Sequence, residues 1–160
     1  MGARPFATIT VIAVAPCRLP ASLTAPVRRL LARVLEAEVL KKRGPLDRPF
    51  ALTVAFCDEP YIRTLNKRFL GHNGSTDVLS FPFDSITEDG DRYLGDIVVC
   101  LPVAQRNARR YKVPLQKEVL RLTVHGLLHL LGHNDETPLE RKQMAEKERS
   151  YLKEFLKNKP

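Results

Sequence analysis

Residues 120–135 read Leu-Arg-Leu-Thr-Val-His-Gly-Leu-Leu-His-Leu-Leu-Gly-His-Asn-Asp. As far as Leu131 the run is nearly all apolar, the mark of a helix buried on most of its sides. His125 and His129 interrupt it four residues apart, so both imidazoles leave one helix face about a turn apart. Burying an imidazole without a partner costs on the order of 1–3 kcal/mol. Two of them on an apolar helix need a shared explanation, either a pair of satisfied core histidines or a divalent metal. Gly132 weighs toward the metal. A left-handed residue there ends the helix and turns the chain back, and the polar His133, Asn134 and Asp135 follow at once. A third ligand is then within reach, and three protein ligands leave a coordination position open.

Toward the N-terminus, residues 7–14 alternate and are β-branched, so they predict a first strand, ended by Pro16 and Pro20. Pro26 opens a helical pattern on Val27, Leu30, Leu31, Val34, Leu35 and Val39, which Gly44-Pro45 stops. Phe50–Phe56 is a second strand, and Asp58 then caps a short helix carrying Ile62, Leu65 and Phe69. Gly71–Gly74 is a turn, Val78–Phe81 a short strand closed by Pro82, and Asp84–Arg92 an acidic, mobile surface loop. Leu94–Cys100 is another strand. Helices follow over 102–111 and 115–132, with Pro114 opening the second, and a last amphipathic helix runs over 138–156. Strands interleaved with helices, then helices alone, predict an α+β fold: a small mixed β-sheet with packed helices and the histidine helix at its centre. One domain over residues 1–160 accounts for the length.

A chain that is 44% apolar and 28% charged is a globular protein and not a disordered one. No apolar run approaches the roughly 20 residues that span a bilayer, so no membrane partner is expected. Arg4 followed by Phe6–Cys17 has the outline of a signal peptide. Thr8 and Thr10, however, alternate with Ile9 and Val11 as in a strand, and Pro16 stands where cleavage needs a small residue. Cys17, Cys57 and Cys100 are odd in number and form no CxxC pair, which points to reduced thiols in the cytoplasm. The net charge of +8 is uneven: residues 101–133 carry six cations against one acid, whereas residues 51–100 carry four against eight. Such a distribution is either an electropositive face for a phosphate polyanion or a solvated surface. Arg106, Arg109, Arg110 and Lys112, ahead of the histidine helix, have the same two readings.

Gly126 separates two chemistries. A zinc peptidase of the HExxH type carries its general-base glutamate there. A glycine in mid-helix costs roughly 1 kcal/mol against alanine, and it leaves space for something to approach the metal.

The stretch from His125 to Asp135 resembles the signature HGxLHLxGYDH of the YbeY family of metal-dependent endoribonucleases. It agrees through Gly132 and departs at His133, Asn134 and Asp135. A second family block is matched by Leu65-Asn66-Lys67-Arg68-Phe69, by Ser75-Thr76-Asp77-Val78-Leu79-Ser80-Phe81-Pro82, and by Leu94-Gly95-Asp96-Ile97. The resemblance implies an α+β fold and one divalent ion of the zinc type (Zn2+) on three ligands. It also implies cleavage of single-stranded RNA in rRNA 3′-end maturation and ribosome quality control, in contact with the small ribosomal subunit and its proteins. By position, Arg68 corresponds to the family's catalytic arginine, whose fork suits nonbridging phosphate oxygens, and His125 is catalytic as well as a ligand. Asp135 stands at the family's third-ligand position. A carboxylate oxygen binds zinc at about the distance of an imidazole nitrogen, so His125, His129 and Asp135 are the expected ligands. His133, four residues past His129, is the rival, and the Gly132 turn should point it elsewhere. Asp77 and Asp96 are each either support for a ligand histidine or turn and strand residues, and His72 is a surface residue. Three other readings remain: a peptidase-like metal hydrolase, a ribosome assembly factor with a structural metal, and an exported protein. Gly126, the open position and the cysteines weigh against them in turn.

Overall fold

The computed structural model describes residues 5–43 and 48–158. Strand β1 (Ala7–Ala13) leads into helix α1 (Ala21–Arg43) and strand β2 (Phe50–Cys57). Helix α2 (Glu59–Leu70) and the hairpin β3 (Val78–Ile86) and β4 (Arg92–Cys100) follow. Helices α3 (Leu101–Tyr111), α4 (Leu115–Leu130) and α5 (Pro138–Lys157) complete the chain. The sheet order is β1-β2-β4-β3. β1 and β4 run parallel to β2, and β3 runs antiparallel to β4. The fold is α+β with a mixed sheet, as the sequence implies.

Period-two alternation divides each central strand between two cores. Leu52, Val54 and Phe56 of β2, with Ile97 and Val99 of β4, face the larger core, which α1, α4 and α5 cover. Ala55, Cys57, Val98 and Cys100 face a smaller one closed by Ile62 of α2. Helix α4 touches α1, α3, α5, β3 and β4. Val119, Leu120, Leu122, Val124, Leu127 and Leu128 bury it on nearly every side, each full burial being worth about 1.5–3 kcal/mol.

Three expectations change. Helix α1 begins at Ala21, so Pro26 lies in its second turn instead of opening it. Leu23 at 3% exposure joins the core, and that burial extends the helix beyond its proline signal. The predicted stop at Gly44-Pro45 lies outside the described residues. Pro82 does not close β3, which runs on to Ile86. An edge strand tolerates the missing N–H, and the ladder slips beside it between Pro82 and Ser85. The segment 84–92 is therefore no loose loop but the end of a hairpin. An Arg92–Asp84 ion pair at 3.3 Å and the Phe83–Tyr93 ring pair hold it together.

Candidate metal centre

The site grows from the end of α4. His125 and His129 lie on its solvent edge, with ring centroids 4.6 Å apart and rings nearly perpendicular. Their Nε2 atoms are 3.1 Å apart. Gly132 then adopts φ +90°, which a side chain would strain. The Gly132 N–H donates to the His129 carbonyl and the His133 N–H to the Leu128 carbonyl, both at 3.0 Å, so the chain reverses. The reversal returns Asp135 to the helix. Its Oδ2 lies 3.6 Å from His125 Nε2 and 3.4 Å from His129 Nε2. One ligand atom from each of the three residues falls within 4.8 Å of the others, the only such group among the described residues.

Two devices fix the returning segment. Thr137 and Glu140 form a reciprocal capping box at the start of α5. The Arg141 guanidinium donates to the carbonyls of Glu136 at 2.6 Å and Asp135 at 3.3 Å. His133 points away: its Nε2 lies 2.9 Å from Glu38 Oε2, well apart in partnership from the triad.

Behind His125 lies a network of buried charge. Glu148, at 7% exposure, places Oε1 2.6 Å from His125 Nδ1. That contact assigns the ring proton to Nδ1 and leaves the Nε2 lone pair facing His129 and Asp135. Arg121 reaches Glu148 Oε2 at 3.5 Å and donates twice to Glu118, at 2.8 and 3.0 Å. The hydrogen bonds that Arg121 donates to Glu118, acting against burial, push the Arg121 pKa further up. Glu118, Glu148 and the half-buried Arg121 sum to one negative charge behind His125, and Asp135 adds another on its Nε2 side.

Glu148 was not singled out by its sequence. The available signal was its place on the apolar stripe Met144–Leu152–Phe155 of α5 at helical spacing, a charge where the core expects none. Neither Asp77 nor Asp96 supports a histidine. Asp77 accepts from Asn107 Nδ2 at 3.2 Å and, through its carbonyl, from Cys100 N–H at 2.8 Å, so it organises the turn. Asp96 accepts from the Tyr93 hydroxyl, and burial together with that carboxylate pushes Tyr93 up to about 12.

Gly126 also has another role than expected. A Cβ there would lie 2.6 Å from Ile97 Cγ2 and 3.1 Å from Ser80 Oγ, and Ser80 donates to the Gly126 carbonyl at 3.1 Å. The missing side chain admits the sheet, not a substrate.

Arg68 is exposed on the last turn of α2, its guanidinium 5.3 Å from the Phe69 ring centroid. Phe69 in turn packs edge-on against Phe81 of β3 at 5.3 Å. It forms no ion pair among the described residues, unlike Arg106, which Glu59 holds. Arg109, Arg110 and Lys112 are exposed at the end of α3, with Arg110 against the Tyr111 ring. His72 is exposed.

Fold and site together define an α+β protein with two histidines and a carboxylate converging at the end of its central helix. The family model described as Endoribonuclease YbeY matches residues 20–156, and the chain belongs to that family of endoribonucleases. It is 33% identical over 128 residues to the endoribonuclease YbeY of Chlorobium luteolum, covering 80% of this chain and 88% of that one. With its counterpart from Caldanaerobacter subterraneus it is 40% identical over 137 residues, 79% of this chain and 82% of the other. The solution structure of a Thermotoga maritima protein superposes with a TM-score of 0.57 at 30% identity, over 92% of this chain and 89% of that one.

Proposed function

We propose that the chain, read as one domain over residues 1–160, is a metal-dependent endoribonuclease specific for single-stranded RNA. We assign it to rRNA 3′-end maturation and ribosome quality control on the small ribosomal subunit, as the family resemblance implies. Three free thiols suit a reducing cytoplasm.

One observation carries the metal reading. Ligand bonds of roughly 2.1 Å to a tetrahedral ion set donor atoms about 3.4 Å apart. The donor separations here are 3.1, 3.4 and 3.6 Å. His125, His129 and Asp135 would hold the ion; this set suits zinc, and its single carboxylate also opens the site to manganese or iron. When bound, such an ion supplies Lewis acidity toward a phosphate oxygen and acidifies water near neutral pH.

The chain's own groups do the rest. Glu148 keeps the His125 ring oriented, accepting the Nδ1 hydrogen bond so that Nε2 is turned to the site. Arg68, with no carboxylate partner among the described residues, is the group to hold nonbridging oxygens as charge develops on the phosphate. Arg109, Arg110 and Lys112, exposed at the end of α3, are assigned to flanking backbone, with a smaller share for Arg106 because Glu59 already pairs with it.

The test is cleavage of a labelled single-stranded RNA by the purified protein, with and without chelator. Chelation should abolish cleavage and added zinc restore it. Arg68→Glu should lose about 100-fold or more in rate yet retain its metal, because arginine is no ligand. A protein that cleaves casein but no RNA would overturn the reading.

A further inference from the structure

Two cavities on the far side of His125 form one groove between the first half of α4 and the second half of α5. The inner one, about 410 Å³, is lined by Tyr111, Lys117 and Arg149 and is walled by Glu118, Arg121 and Glu148. The outer one, about 450 Å³, adds Lys153 and Lys157 over a floor of Leu152 and Leu156 and has no acidic residue in its lining. Lys117, Arg149 and Leu152 belong to both.

The cations form a pattern. Arg149, Lys153 and Lys157 stand four residues apart, so they share one face of α5 and step along it by about 6 Å. Lys117 faces them from α4. None of the four forms an ion pair among the described residues, whereas Arg106 and Lys147 do. Each therefore keeps its charge for a partner. Tyr111 stands at the inner end with 56% of its surface exposed.

We propose that this groove is a second RNA contact, an exosite in which Lys117, Arg149, Lys153 and Lys157 hold phosphate backbone and Tyr111 stacks a base. The inference rests on the RNA reading of the metal centre. A regular row of unpaired cations ending on an exposed aromatic ring fits a strand of phosphates and bases better than an acidic protein. The groove lies on the Nδ1 side of His125, with Glu148 between, while the metal ligands meet on the Nε2 side. RNA held here extends past the cleavage centre and does not occupy it.

The experiment is fluorescence anisotropy of a 5′-labelled oligouridine against the full chain in chelator, over a salt series. Neutralising Lys117, Arg149 and Lys153 to Gln should weaken binding about tenfold or more. It should also lower the log–log salt slope by about 2, at about 0.7 per lost phosphate contact. A control with Arg18→Gln and Lys142→Gln should change far less. An unchanged slope in the triple variant, or an equal loss in the control, overturns the exosite. A triple variant that loses poly-glutamate binding and keeps RNA binding makes the groove an acidic-protein surface and overturns it too. Parent protein that binds RNA in this assay but fails to cleave it once zinc is restored defeats the nuclease reading and leaves the exosite standing. Parent protein that binds no RNA defeats both.

Discussion

Two histidines of this chain each meet a buried glutamate, and only one of them faces a site. His125 gives Nδ1 to Glu148 and keeps Nε2 for a space that His129 and Asp135 also face. His133 gives Nε2 to Glu38, whose carboxylate Lys147 and Tyr151 also hold. Both Glu38 oxygens are thus occupied from within the cluster. Burial alone would raise the Glu38 pKa, but hydrogen bonds from Tyr151, Lys147 and His133 outweigh it and hold the carboxyl at about 2. A buried histidine–carboxylate pair is therefore not in itself a metal site. What matters is which ring nitrogen the carboxylate takes and whether the other is aimed at further donors.

Removing ligands tests that contrast most strongly. Asp135→Ala and His125→Ala should lose bound metal and drop RNA cleavage to background, while His133→Ala keeps its metal. Metal analysis of the three purified proteins side by side decides it. Retained metal in Asp135→Ala together with lost metal in His133→Ala would make the two pairs exchange roles.

Glu148→Gln comes next. An amide can present its NH2 to the ring and select the wrong tautomer, so metal affinity should fall about 10- to 100-fold. Glu148→Asp should recover part of the loss. Competition with a chromogenic chelator gives the affinities, and equal values for all three proteins would reduce Glu148 to a packing residue.

The smallest effect should fall on stability alone. The folded Glu38 carboxyl titrates at about 2 against an ordinary 4.5. Its depressed value means a contribution present above pH 4.5 and lost as pH falls from there toward 2. Glu38→Gln should therefore cost roughly 2–3 kcal/mol near pH 7, and the gap to the parent should close by about pH 2. Urea unfolding of both proteins in chelator at several pH values measures it; a gap independent of pH would show that the carboxylate's charge contributes nothing.

The same contrast explains what could be read from sequence. His125, His129 and the Gly132 turn are local: helical spacing and one left-handed glycine predict that the chain turns back, while the choice of Asp135 over His133 also leans on the family's third-ligand position. Glu148 and Glu38 were out of reach because their partners depend on how α5 and α1 dock against α4, over 23 and 95 residues of separation. The hairpin end over 84–92 was misjudged for a related reason. Its acidic, glycine-containing composition reads as a loop, while the ladder that orders it comes from strand pairing across β4. Pro26 misled in the opposite sense, a strong local signal overridden by the burial of Leu23.

Gly126 has a consequence for how this helix could change over evolutionary time. A peptidase of the HExxH type differs at this position by one residue, on paper a short path between two hydrolytic trades. Here that path is blocked by architecture. The helix lies so close to the sheet that even a methyl group would collide with Ile97, and a glutamate would have to lever α4 off β3 and β4 before it could serve as a base. Ile97 and Ser80 would have to give way first, so exchanging this one residue does not by itself exchange the chemistry.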